Sequence, residues 1–315
     1  MKQYLQGITY EVLCIDDCST DKSLEICTKF AMDNPNIRVM RNKKNSGVSY
    51  TRNRLIENAK GKYIWFIDPD DMLYPDIARI FYLKIEENDC DVILGDYLSI
   101  TEREMNIPEN IEKELHWRRI SKTERWLPVN QNGIKMCAIW AGLFKRDFLL
   151  LNDLHFNEKM IAQEDTLFYY EFILRTDKII KCSSPSYFYR QKASSVMHSR
   201  SKQRLYQYYL SMVEMFKVYK KHLDENDFDN KEILEEKIGH SRQNIITCLV
   251  SVDDTKMVKD KLKNLKEIGI YPYPFRKAVW YTKESLLRKI IYFFQPIEPF
   301  FWLLHLLYKI SYRSP

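Results

Sequence analysis

From Tyr10 to Leu94, short apolar runs alternate with stretches whose apolar positions recur at helical spacing. Tyr10 to Ile15 forms one such run and ends in Asp16-Asp17-Cys18-Ser19-Thr20-Asp21. Leu24, Ile26, Cys27 and Phe30 follow at helical intervals, with Ser19 or Thr20 placed to cap that helix. Ile37 to Met40 predicts a second strand, closed by the Asn45-Ser46-Gly47 turn. A helix from Val48 to Ala59 stops before Gly61. Tyr63-Ile64-Trp65-Phe66-Ile67 predicts a third strand, which runs into Asp68-Pro69-Asp70-Asp71 before Pro75 opens a further helix. Asp91 to Leu94 is a fourth strand. This order predicts an α/β fold: a mostly parallel sheet with flanking helices. Ligands of such sheets gather beyond the carboxyl ends of the strands, where residues 16–17 and 68–71 both fall.

Residues 99–135 are charged and poor in apolar periodicity, which predicts loops. A second compact stretch, Met136 to Arg190, contains Trp140, Phe144 and the pair Glu164-Asp165. From residue 201 the pattern is helical and rich in Tyr and Lys, so the expected division is 1–200 and a helical C-terminal region, 201–315. Ile290 to Tyr312 is rich in Ile, Phe, Trp, Leu and Tyr but is broken by Pro296, Glu298 and Pro299. Its unbroken piece, Phe300 to Tyr308, contains His305 and is far shorter than the ~20 residues of a spanning helix. Lys277, Lys283, Arg288, Lys289, Lys309 and Arg313 surround it. The tail is therefore either an interfacial segment in peripheral contact with a membrane or a helix packed on the chain's own surface.

Composition narrows the class. The 315 residues are 45% hydrophobic and 29% charged, which describes a globular protein. The net charge of +6 comes with no recognition motif, so nucleic acid is not an expected partner. Seven cysteines, at 14, 18, 27, 90, 137, 182 and 248, include no Cys-x-x-Cys pair. That scatter fits reduced thiols better than a disulfide frame or a zinc site. With no basic-then-apolar leader, the expected location is cytoplasmic, with the inner face of the cell membrane open to the tail.

Three acidic groups carry the candidate chemistry. Carboxylates crowded into Asp68-Pro69-Asp70-Asp71 repel one another, and the sequence reads either as a polar turn or as a site for Mn²⁺ or Mg²⁺. Such an ion would bridge a diphosphate and stabilise a leaving group. Asp16-Asp17 can accept hydrogen bonds from a base or ribose, or can simply end a strand. Glu164-Asp165 can supply a general base or can favour a helix N-terminus through the dipole. Together they describe displacement at a carbon attached to a nucleoside diphosphate. A nucleotidyltransferase would want a Gly-rich phosphate loop after the first strand, which this sequence lacks.

Four blocks, 15–21, 45–53, 61–71 and 163–168, resemble in order and spacing those of bacterial family 2 glycosyltransferases with the GT-A fold. Tyr187-Phe188-Tyr189-Arg190-Gln191 with Ser195-Val196-Met197 resembles a further block of that family. The resemblance covers residues 1–200 and implies an inverting transferase that takes a nucleotide-sugar donor, a UDP-sugar favoured. The implied acceptor is a glycan or lipid-linked hydroxyl in surface polysaccharide synthesis. It implies Asp17 at the nucleotide base with Asp16 supporting the loop, and Asp68 near ribose and metal. Asp70 would be the main ligand of Mn²⁺ or Mg²⁺, with Asp71 as support, and Arg52 would line the donor side. Asp165 is implied as the base, with Glu164 shaping the acceptor site, and Arg190 and His198 as groups that could approach the diphosphate or metal. Trp140 is either an acceptor-pocket residue or a core aromatic. Against that resemblance the usual first strand and part of the first helix are expected to be lacking before Tyr10, with residues 1–9 resembling the tail of that helix. Cys18 stands where the family has glycine, a change tolerable if the backbone there is not left-handed. The alternative reading is an inactive remnant that serves as a binding or scaffold protein.

Overall fold

The computed structural model describes residues 5–100, 115–121, 138–191, 202–225, 231–250, 255–271 and 298–311; His198 lies outside them. The chain divides into two compact units, Met1–Glu158 with Glu164–His198, and Lys159–Gln163 with Ser199–Pro315.

The first unit contains β1 (Val12–Asp16), α1 (Ser23–Asp33), β2 (Ile37–Arg41), α2 (Val48–Asn58), β3 (Tyr63–Trp65), β4 (Met72–Leu73) and α3 (Ile77–Glu87). These are followed by β5 (Val92–Ile100), β6 (Trp117–Arg119), a 3₁₀ turn (Ile139–Ala141), β7 (Gly142–Lys145), α4 (Arg146–Leu151), α5 (Glu164–Arg175) and β8 (Ile179–Arg190). Two sheets carry the strands. β1 and β2 pair in parallel as a sheet of their own. The second sheet runs β3-β7-β5-β8-β4, with β6 also on β8. Its centre is the parallel pair β5–β8, while β7 lies antiparallel between β3 and β5, and β4 and β6 are antiparallel to β8.

Alternation along the strands puts the core on both faces of this sheet. Trp65 of β3 stacks on Phe81 of α3 at 4.9 Å, in a cluster with Ile77, Ile85, Ile93, Leu143 and Ile180. The neighbouring Phe66 and Phe144 turn the other way, onto Phe168 and Phe172 of α5. The buried residues of α3, at 77, 81 and 85, explain why that segment is helical: one apolar stripe meets one sheet face. α2 differs. Its buried positions Ser49, Arg52, Asn53 and Ile56 form a stripe at helical spacing that is mostly polar.

Local details differ from the sequence-based expectations. α1 begins at Ser23 with no side-chain cap, because Ser19 gives its amide to the Asp16 carboxylate (3.2 Å) and the Asp21 carboxylate accepts the amide of Ser23 (2.9 Å). Residues 5–10 are non-helical, with a turn at Gln6-Gly7 after which the Ile8 amide bonds back to the Leu5 carbonyl at 2.9 Å. Cys18 sits at φ 62°, in the left-handed region, so the glycine substitution noted above carries strain. α1 contributes no buried residue, and Ile26, Phe30 and Met32 are exposed.

The second unit is helical where described: α6 (Lys202–Glu225), α7 (Lys231–Val250), α8 (Thr255–Glu267) and α9 (Glu298–Ser311). α8 buries Val258, Leu262 and Leu265 at helical spacing.

Candidate functional site

The polar stripe of α2 is the frame of the site. Asp17 holds the entry to that helix. Its Oδ1 accepts from Asn42 Nδ2 at 2.6 Å and from the Ser46 amide at 2.9 Å, and its Oδ2 from the Gly47 amide at 2.7 Å. Gly47, at φ 88°, adopts the left-handed conformation that glycine accepts without strain and precedes the first helical residue. A carboxylate there also suits the positive end of the helix dipole. Asn42 continues the tie by donating to Thr51 Oγ1 at 2.9 Å. Asp16 is held apart from this group by Arg41 Nε at 3.1 Å and the Ser19 amide.

One turn further on, Arg52 joins two of the acidic groups. Its Nη1 lies 2.9 Å from Glu164 Oε1 and its Nη2 2.9 Å from Asp68 Oδ1. Arg52 is 8% exposed, and its guanidinium rests 5.4 Å from the centroid of the Phe156 ring. Asn53 holds that ring's backbone from both sides, donating to the Phe156 carbonyl at 2.9 Å and accepting its amide at 2.7 Å. Arg52 thus fastens the loop after β3 to the first residue of α5. Two carboxylates already engage its charge, which shields much of it from any bound diphosphate.

Tyr187 of β8 holds the same loop from its other end. Its hydroxyl donates to Asp71 Oδ2 at 2.9 Å and accepts the Asp68 amide at 3.1 Å, while the Arg190 amide donates to Asp71 Oδ1 at 2.8 Å. The Asp71 amide closes the turn onto the Asp68 carbonyl at 3.1 Å. Asp71 is therefore a strut, and Arg190 is tied to the loop through its backbone. Burial raises the Tyr187 pKa above the ordinary phenol range, so the hydroxyl stays protonated. Burial also raises the Asp71 carboxyl, against the lowering pull of the Arg190 amide and Tyr187. Sequence reasoning assigned Tyr187 no individual role. Only its alternation with Phe188 along the strand, which sends the two side chains to opposite faces, hints at it.

Asp165, in the first turn of α5, is the most perturbed carboxyl of the group. Burial first, then the charge of Glu164, push its pKa up to about 6, while Arg52 and the Thr166 amide pull the other way. The Thr166 amide donates to its Oδ1 at 2.7 Å. A carboxylate poised near neutrality is suited to accept a proton. Trp140, in the 3₁₀ turn, is half-buried among Tyr97, Tyr187 and Tyr189, with ring centroids 4.7, 4.5 and 5.7 Å away. Its carbonyl accepts from Trp65 Nε1 at 2.7 Å.

Among the described residues no group of three or more acidic, His or Cys side chains converges as a metal site. The loop does present Asp70, exposed, two residues from Asp68. Two carboxylates offer the hard oxygens that a divalent ion takes. Asp68, Glu164 and, through the backbone, Asp165 are brought together by Arg52; among the described residues Asp17 is joined to them through α2.

The chain is similar to several known proteins. Residues 2–149 match Glycosyl transferase family 2. Glycosyltransferase GlyG of Streptococcus pneumoniae serotype 4 is 29% identical over 208 residues, 63% of this chain and 66% of that protein. A poly(ribitol-phosphate) beta-glucosyltransferase of Bacillus spizizenii is 31% identical over 184 residues, 58% of this chain and 27% of that protein. This chain thus covers less than two thirds of either relative. Staphylococcus aureus TarS 1-349, solved in complex with UDP-GlcNAc, shares the fold with a TM-score of 0.62 at 18% identity, over 96% of this chain and 82% of that one. The first unit thus resembles the family 2 glycosyltransferases over residues 2–149, and the chain shares its fold with TarS.

Proposed function

We propose that this protein transfers a sugar from a nucleoside-diphosphate sugar, a UDP-sugar favoured, to a hydroxyl of a glycan or lipid-linked acceptor in surface polysaccharide synthesis. The observation that carries this reading is the Arg52 bridge, which joins the acidic loop at Asp68 to the start of α5 at Glu164. The relatives support it as well: TarS was solved with UDP-GlcNAc, and the B. spizizenii protein is named a glucosyltransferase.

In the proposed reaction the Asp165 carboxylate takes the proton of the acceptor hydroxyl. The acceptor oxygen bonds to the anomeric carbon as the bond from that carbon to the diphosphate breaks. The nucleoside diphosphate leaves with the electron pair, and the anomeric centre inverts in one step. Asp70 and Asp68 would hold Mn²⁺ or Mg²⁺, whose chemistry when bound is to neutralise charge on the diphosphate. Arg52 keeps the two carboxylate-bearing segments in register, Tyr187 and Asp71 fix the loop, and Trp140 offers an aromatic face to the acceptor.

A second reading, a non-catalytic binding or scaffold protein, is favoured by one observation: among the described residues β1–β2 share no sheet with β3. One experiment separates the two. The chain is titrated by calorimetry with a panel of UDP-sugars and Mn²⁺, and transfer is assayed alongside. Asp165→Asn is expected to lose at least ~100-fold in turnover, the usual size of a general-base contribution, while donor affinity stays within about threefold. Wild-type turnover in that variant refutes the role of Asp165, and failure of the parent chain to bind any donor favours the scaffold.

A further inference from the structure

Helix α9 has one face docked and one face bare. Phe301 and His305, four residues apart, are both buried. The Phe301 ring lies 6.2 Å from that of Tyr271 and stacks on His305. The His305 ring reaches the Val250 carbonyl through Nδ1 at 3.0 Å and the Thr255 hydroxyl through Nε2 at 3.4 Å. The one polar residue that interrupts the apolar run is thus turned inward, with a partner at each ring nitrogen. Leu303, Leu306 and Leu307 are 48%, 55% and 52% exposed. With exposed Pro299 they follow a 4-3-1 spacing, which is a single stripe along the helix. Isolated exposed leucines need no explanation, but a contiguous stripe does.

Charge says what covers it. Residues 276–315 contain seven Lys or Arg against two Glu, while the remaining 275 residues contain 42 against 41. Five of the chain's six net positive charges therefore belong to the last forty residues. A second copy would bring the same excess of positive charge to the contact, and the rest of the chain has no net negative charge to offset it. An anionic bilayer surface does. Leucines can enter the boundary of the acyl chains while lysines and arginines meet headgroup phosphates. Fourteen residues of helix are about 21 Å long, and no helix among the described residues is long and apolar enough to cross a membrane.

We propose that α9, with the basic stretch around it, is an in-plane anchor that binds anionic lipid surfaces. The anchor is independent of the transferase reading. The test is sedimentation of the full chain with vesicles of phosphatidylcholine alone and of phosphatidylcholine with phosphatidylglycerol. Binding is expected to be at least tenfold stronger on the anionic vesicles and to fall steadily as salt is raised. The triple variant Leu303→Ser, Leu306→Ser, Leu307→Ser is expected to lose at least tenfold in binding while its circular dichroism is unchanged. Equal binding to both vesicles, no binding to either, or wild-type binding by the triple variant overturns the proposal. So does a dimer, seen by analytical ultracentrifugation, that the triple variant abolishes. The lipid and salt series on the unmodified chain decides the matter even if the variant misfolds.

Discussion

Arg52 is the residue on which the site turns, because one guanidinium satisfies two carboxylates from distant parts of the chain at 2.9 Å each. Planar, always charged and bidentate, it suits that task in a way lysine does not. The carboxylates themselves were legible from the sequence as Asp68 and Glu164, but their common partner was not, since a 112-residue separation between Arg52 and Glu164 leaves no local signal. Asp17 makes the same point: its segment was visible, yet its oxygens accept from the backbone that starts α2. The proposed base, Asp165, sets the expected pH dependence. Its folded-state pKa of about 6 means that the base form fills as pH rises, so kcat/KM should climb through pH 6 and level off above pH 7. Glu164→Gln removes a neighbouring negative charge and frees Arg52, both of which favour the ionised form, so the acid limb should move to lower pH. A limb that stays in place in the rate profile of that variant removes Glu164 from this role.

Among elements, the helices were the most legible and the directions of strands the least. α2 and α3 lie close to where their patterns placed them, because apolar spacing and breakers act within a few residues. The antiparallel insertion of β7 between β3 and β5 could not be read, since period-two alternation is the same in either direction. The long pair β5–β8 contains a place where only glycine fits. A Cβ on Gly95 would lie 1.7 Å from Ser186 Oγ and 3.0 Å from Phe81 Cζ. The register shifts in the same region, between Leu94 and Tyr97. Gly95→Ala should therefore cost about 1–3 kcal/mol by overpacking. A urea midpoint equal to that of the parent chain would contradict it.

For the whole molecule, ligand linkage gives the most direct check of the transferase reading. A donor that binds only the folded chain stabilises it by about 2.7 kcal/mol at a hundredfold excess over Kd. A UDP-sugar with Mn²⁺ should thus raise Tm by several degrees, and Asp70→Ala, which removes the exposed carboxylate of the loop, should cancel most of the rise. An Asp70→Ala chain that keeps the full shift would separate that carboxylate from donor binding.

The amino-acid order alone determined the alternation of strand and helix, the resemblance to family 2 glycosyltransferases, and the set of acidic residues offered to a ligand, because spacing and residue type act over short distances along the chain. Tertiary structure alone decided that the strands divide into two sheets, that Arg52 and Tyr187 hold the acidic loop from opposite ends, and that His305 turns inward while three leucines face out. These depend on which surfaces meet after the chain has closed on itself, and no pattern confined to neighbouring residues records that.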